Sequence, residues 1–242
     1  MAQNQIGASL HVLIVGAGIA GLAAATALKK AGHKVEIFER SSFADEVGAA
    51  VLMTSNGTRV LKALGFDFAA GGGVRLQHFN AYDTLSLQPG PKMDIGNTEE
   101  PFGGPMQSIH RQDLHGDLVR MATAEAPGEI PAAIHLGTKI KTVDVEKPSI
   151  EMEDGSVVQG DLLLGADGIH SIVRKTAVVG EEKPIDSGFQ MYRFLVSREE
   201  IEKDEVTKGM MERNTALRFF HGDPLNDDLD RFIWFECRKY GA

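Results

Sequence analysis

The chain has 242 residues, 43% of them hydrophobic and 24% charged, enough for one large domain, or one and a half ordinary ones, with an apolar core. A formal net charge of −9 excludes a nucleic-acid surface, which needs clustered cations. The single cysteine, Cys237, excludes an internal disulfide framework and suits a reducing compartment, the cytoplasm.

Residues 1–9 are polar and read as a lead-in. Val12-Leu-Ile-Val15 is short and rich in β-branched residues, as expected of a strand covered on both faces. Gly16-Ala-Gly18-Ile-Ala-Gly21 follows, then an alanine-rich helix from Leu22 to about Lys30, closed by Gly32. Val35-Glu-Ile-Phe is a second strand, ending at Glu39 and Arg40. This is the dinucleotide-binding pattern. Gly16 makes the tight turn, Gly18 lets backbone approach a pyrophosphate, and Gly21 lets helix and strand pack closely. The helix N-terminus offers N–H groups and partial positive charge to the phosphates. An acid roughly 20 residues on accepts the adenosine ribose hydroxyls and disfavours a 2′-phosphate, so the nucleotide is FAD or NAD and not NADP. Val12 to Leu28 carries no charge, yet it is shorter than the ~20 residues of a membrane span and no basic segment precedes it. No membrane span is expected.

Glu46-Val-Gly48-Ala49-Ala-Val51 is a loop whose small residues would let backbone approach a flat ring. Asn56 is the expected cap of a helix through Leu64, stopped by Gly65. Gly71-Gly-Gly73 marks a break between domains. Residues 74–87 read as a strand and 88–105, rich in Pro and Gly, as loop. Met106–His110 is a short strand, and Arg111-Gln-Asp113-Leu114 opens a helix to about Glu125. His110 and His115 do not share a helix face well, and no group of residues has metal-site spacing, so no metal is expected.

Four strands are expected over 132–136, 139–145, 149–153 and 156–159, the last two joined by an Asp154-Gly155 hairpin turn. Asp161-Leu-Leu-Leu-Gly165 is a further buried strand leading into Ala-Asp167-Gly168, and Ser171 starts a short helix carrying Arg174 and Lys175. Beyond Gly180, strands are expected over 188–196, 215–220 and 231–237, with a helix over 198–206. Within the first of these strands, Arg193 can face a cavity only if Tyr192 does not.

Three separated motifs then align: the glycine fingerprint with Glu39-Arg40, the junction His110-Arg111-Gln-Asp-Leu114, and Gly165-Ala-Asp167-Gly168-Ile-His-Ser171-Ile-Val-Arg174. Together they resemble the group A flavin monooxygenases, aromatic hydroxylases of the salicylate-hydroxylase-like kind, over nearly the whole chain. The resemblance implies an α/β fold: a Rossmann-like FAD-binding domain of the glutathione-reductase-2/para-hydroxybenzoate-hydroxylase type with a β-sheet substrate domain, C-terminally incomplete. The expected division is 1–72 and 104–180 for FAD, 73–103 and 181–242 for substrate.

By resemblance, Gly16, Gly18, Gly21, Glu39 and Arg40 hold the nucleotide and Gly48 and Ala49 lie along the flavin. Arg111 touches the cofactor and Asp167 lies near the pyrophosphate. Arg193 is the candidate catalytic residue, a cation favouring a phenolate. The implied reaction is hydroxylation of a phenolic or polyketide-type small molecule by NAD(P)H and O₂ through a flavin C4a-hydroperoxide, the flavin supplying the hard chemistry. Plainer readings stay open. Arg111 could be a solvated first-turn residue, Asp167 a strand-end turn former, Arg193 a sheet-surface arginine. The family's second FAD motif, a Gly-Asp followed by His-Pro, is absent. A non-catalytic flavoprotein remnant or partner subunit is therefore an alternative, as is a flavin oxidoreductase without oxygen insertion, though that reading expects a CxxC or a second GxGxxG.

Overall fold

A computed structural model describes residues 8–43, 49–83, 86, 88–178, 185, 196–211, 216–221 and 232–234. In chain order the elements begin with β1 (His11–Val15), α1 (Ile19–Lys30), β2 (Lys34–Phe38), β3 (Ala50–Met53) and α2 (Ser55–Ala63). Next come β4 (Val74–Arg75), β5 (His78–Asp83), β6 (Pro89–Asp94), α3 (Glu99–Phe102), β7 (Gln107–His110) and α4 (Arg111–Thr123). Then follow β8 (Ala133–His135), β9 (Ile140–Asp144), β10 (Ser149–Met152), β11 (Val157–Gln159), β12 (Leu162–Gly165) and α5 (Ile172–Ala177). The last described elements are α6 (Arg198–Glu202), α7 (Glu205–Met211), β13 (Ala216–His221) and β14 (Phe232–Trp234).

The chain forms two compact units, residues 1–46 with 115–190 and residues 47–114 with 191–242. Against an expected division of 1–72 with 104–180 and 73–103 with 181–242, the compact units divide at 46/47, 114/115 and 190/191. The glycine triplet that suggested a boundary lies inside the second unit.

The first unit is built on a parallel sheet of order β12-β1-β2-β8. Val12 to Val15 are all buried, the pattern of a strand covered on both faces. On one face Leu13, Val15 and Phe38 meet Val143, Ile150 and Val173, so the antiparallel β11-β10-β9 sheet and α5 close that side. The Asp154-Gly155 turn forms as expected: Gly155 has φ +85 and the Asp154 carboxylate accepts the Ser156 N–H at 2.9 Å.

The register places His11, Glu36 and His135 on one face of three adjacent strands. Glu36 accepts from Lys34 (2.8 Å), His135 (2.8 Å) and His11 (2.9 Å). The Lys34 ammonium, followed by the His135 and His11 contacts, outweighs burial and holds the Glu36 carboxyl down at about 2. Along α1, Leu22 and Ala25 are buried. So is Lys29, 2% exposed. Its Nζ donates to the Met121 and Ala124 carbonyls at 3.0 and 2.6 Å and stands 3.3 Å from the Glu129 carboxylate. A cation thus meets the carbonyl end of α4, where it is favoured.

The second unit holds an antiparallel β3-β7-β4 sheet and a sheet of order β14-β13-β5-β6, in which β13 and β5 run parallel. Three expectations are corrected here. Residues 89–94, read as loop, form β6 despite two prolines; among the described residues β6 is an edge strand, where a missing N–H costs no ladder bond. Asn56 is not the cap of α2. Thr54 is the N-cap residue, and its hydroxyl bonds the Asn56 side chain. The single helix expected over 198–206 is two, α6 and α7, broken around Asp204, whose carboxylate accepts the Val206 and Thr207 N–H groups. The strand expected over 188–196 lies almost wholly outside the described residues.

Candidate active site

In an open parallel sheet, ligands bind beyond the carboxyl ends of the strands where the strand order reverses. Here the chain leaves β1, whose neighbours are β2 on one side and β12 on the other. The glycine turn sits at that point.

Each glycine has a separate physical reason. Gly16 adopts φ +100, and a Cβ there would stand 2.5 Å from the Ala166 carbonyl oxygen and 2.9 Å from the Asp167 Cα. A Cβ on Gly21 would lie 2.0 Å from the Gly16 oxygen, so the start of α1 approaches the turn as only glycine permits. A Cβ on Gly18 would meet nothing within 4 Å. Its glycine therefore answers to no neighbour in the chain, and the space beside it is open.

Gly18 is the N-cap of α1, with no side-chain cap and no acid in the first turn. The first-turn N–H groups therefore lack the usual side-chain acceptors. Open space beside an uncapped twelve-residue helix fits a pyrophosphate.

Glu39, half-buried, follows β2. Its Oε2 accepts the Ala17 N–H and its Oε1 the Ser41 N–H, both at 2.8 Å. Each carboxylate oxygen has a second lone pair, so ribose hydroxyls can still be accepted. Glu39 thus also shapes the glycine turn, a role that spacing alone did not reveal. Arg40 is exposed.

Asp167 stands beside the turn through its backbone. Its carboxylate, however, is turned onto its own helix: Oδ1 accepts the Ser171 hydroxyl at 2.5 Å, and Oδ2 accepts the Ile172 and Val173 N–H groups at 2.6 and 3.3 Å. Ser171 caps α5 as expected, accepting the Arg174 N–H at 2.9 Å. Gly165 does for this junction what Gly21 does for the first, since a Cβ there would lie 2.8 Å from Val173.

In the second unit, Arg111 opens α4 and its N–H donates to the Ala49 carbonyl at 2.8 Å, beside the Ala50–His110 pair of β3 and β7. The structure therefore brings Gly16, Gly18, Gly21, Glu39 and Asp167 together in one unit, and Ala49 and Arg111 in the other. Gly48 and Arg193 lie outside the described residues. His115, which sequence reading weighed only as a metal ligand, is 5% exposed, and its Nε2 lies 2.8 Å from the Ala17 carbonyl oxygen. Its ring meets Phe43 edge-on, with centroids 4.7 Å apart.

A four-stranded parallel sheet with an open glycine turn and an acid after the second strand defines a dinucleotide-binding protein. The chain belongs to the FAD binding domain family, which matches residues 9–237. It is 37% identical over 203 residues to the FAD-dependent monooxygenase cfoG of Aspergillus candidus, covering 82% of this chain and 46% of that protein. It is 34% identical over 191 residues to a 3-amino-4-hydroxybenzoate 2-monooxygenase of Streptomyces cremeus, covering 77% and 46%. The fold is similar to that of the tetrameric form of 2-methyl-3-hydroxypyridine-5-carboxylic acid oxygenase, with a TM-score of 0.69 at 23% identity, covering 96% of this chain and 57% of that one. The chain spans about half the length of the curated relatives it matches. No helix among the described residues is long and apolar enough to cross a membrane.

Proposed function

We propose that this chain binds FAD and serves an NAD(P)H- and O₂-dependent hydroxylation of an aromatic small molecule, phenolic or polyketide-type. The observation that carries the reading is the open Gly18 at the uncapped start of α1, with Glu39 across the turn. The relatives' names, one of them a hydroxybenzoate monooxygenase, support the substrate class. Bound FAD supplies electron transfer from NAD(P)H and activation of O₂. One oxygen atom enters the ring as a hydroxyl, the other leaves as water, and NAD(P)H gives up the two electrons.

The protein binds, orients and screens. The Gly18 turn and α1 receive the pyrophosphate, and Glu39 accepts ribose hydroxyls. Ala49 and Gly48 offer backbone to the ring, and Arg111, at the start of α4, contacts the cofactor. Asp167 sets the neighbouring turn. Arg193 holds a phenol oxygen as phenolate, which raises the ring's nucleophilicity toward an electrophilic oxygen. The single cysteine supports a cytoplasmic setting.

The test is the visible spectrum of the purified 242-residue chain before and after adding FAD, followed by NAD(P)H oxidation with a panel of phenols under ¹⁸O₂. Stoichiometric bound flavin and one ¹⁸O in the product are expected. Folded protein that takes up no flavin would overturn the FAD reading. Bound flavin with NAD(P)H oxidation but no ¹⁸O in any product would favour an oxidoreductase without oxygen insertion.

A further inference from the structure

Ala17 lies between Gly16 and Gly18, and both of its backbone polar groups are held by side chains from elsewhere in the first unit. Its N–H donates to Glu39 Oε2 at 2.8 Å, and its carbonyl faces His115 Nε2 at 2.8 Å. A carbonyl oxygen can only accept, so Nε2 carries the proton.

The peptide plane turns these two contacts into a statement about direction. In a trans peptide the C=O and the following N–H point opposite ways, and no cis bond occurs among the described residues. Fixing the Ala17 N–H with Glu39 therefore directs the Gly16 carbonyl away from Glu39. The structure shows where it goes: against the start of α1, 2.0 Å from where a Gly21 Cβ would be. Fixing the Ala17 carbonyl with His115 likewise directs the Gly18 N–H away from His115, and of the three fingerprint glycines Gly18 is the one with open space beside it.

We propose that His115 is a positioning residue: by holding the Ala17 carbonyl it aims the Gly18 N–H at the pyrophosphate of the bound dinucleotide. The inference rests on the FAD reading. It gives α4 a part in nucleotide binding through a side chain that does not touch the nucleotide. Rotation of the Ala17–Gly18 peptide would withdraw one donor from the phosphates, and His115 opposes that rotation.

Two substitutions separate the hydrogen bond from the shape of the ring. His115→Phe keeps an aromatic ring against Phe43 and removes the donor. His115→Gln places an amide N–H where Nε2 stood. Each protein, purified without flavin, is titrated with FAD by fluorescence quenching, and bound FAD is then displaced with ADP or adenosine. For His115→Phe the Kd for FAD and the Ki for ADP should rise about three- to tenfold, the range of one lost net hydrogen bond. The Ki for adenosine, which has no phosphate, should move less than twofold. His115→Gln should restore FAD binding to within about twofold of the parent.

Parent-like FAD binding by His115→Phe overturns the positioning role and leaves the FAD reading intact. A parallel loss for ADP and adenosine also overturns it, since that marks general loosening of α4. Absence of FAD binding in the parent chain overturns both.

Discussion

Two strand–turn–helix junctions lie side by side in the first unit, β1 into α1 and β12 into α5. Both end a parallel strand in small residues, β1 buried and β12 half-exposed, and both need a glycine for close approach, Gly21 in one and Gly165 in the other. They differ in what happens to the helix N-terminus. At α5 the chain satisfies it from within, with Asp167 and Ser171 accepting three N–H groups between them. At α1 no side chain caps it, and the space beside Gly18 is open. The same local pattern thus gives one closed junction that holds structure and one open junction that can hold an anion. Both acids, Glu39 and Asp167, accept backbone N–H groups; what separates the junctions is whether a carboxylate caps the helix that follows.

The largest effect is expected at the open junction's tightest point. Gly21→Ala places a methyl 2.0 Å from the Gly16 oxygen and should cost about 3 kcal/mol or more in urea unfolding, as overpacking against backbone does. A loss under 1 kcal/mol would mean that the turn yields and that the two junctions are not built alike. Asp167→Ala should cost about 1–2 kcal/mol, the worth of a helix cap, and leave FAD affinity within twofold. A tenfold loss of affinity would instead make Asp167 a ligand-site residue and erase the contrast.

Glu36→Gln serves as a control away from both turns. It removes a carboxylate that accepts from Lys34, His135 and His11 and should cost about 1 kcal/mol at neutral pH, with FAD binding unchanged. Its pH dependence has a fixed sign. The folded carboxyl sits at about 2 against an ordinary value of 4.5, so its contribution is complete above pH 4.5 and is lost as pH falls toward 2. Urea midpoints of parent and variant should therefore converge over that interval. The smallest stability effect belongs to Gly18→Ala, within about 0.5 kcal/mol, because its φ of −72 suits any residue and its Cβ meets nothing. FAD binding should nonetheless weaken by about 1–3 kcal/mol, since the methyl occupies the ligand's space. Unchanged FAD affinity in Gly18→Ala would place the pyrophosphate elsewhere.

The fingerprint was legible because each of its reasons is local. A positive φ, a close helix approach and an open donor are all written within a few residues, and the acid follows at a distance that β2 fixes. The central parallel strand β1 announced itself as an uncharged, β-branched run over Val12 to Val15. What was hidden depends on groups far apart in the chain. His115 contacts Ala17 across 98 residues, and in the sequence it is one more position on a helix. Its one local signal is its place four residues after Arg111, on the helix that the Arg-x-Asp-Leu junction opens. The second bond of Glu39 was hidden for the same reason, since spacing places an acid but not its orientation. Residues 89–94 read as loop because prolines oppose strands in general, and only the sheet order shows β6 to be an edge among the described strands.

The buried ammonium of Lys29 makes α1 its own chemical reporter. Lys34, Lys62, Lys139 and Lys141 are exposed and should acetylate at once with a small amine-reactive reagent. Lys29 can react only when it leaves the Met121 and Ala124 carbonyls, that is, when α1 parts from the end of α4. Its rate of labelling, read by mass spectrometry, is therefore a clock for opening of the helix that carries the glycine turn.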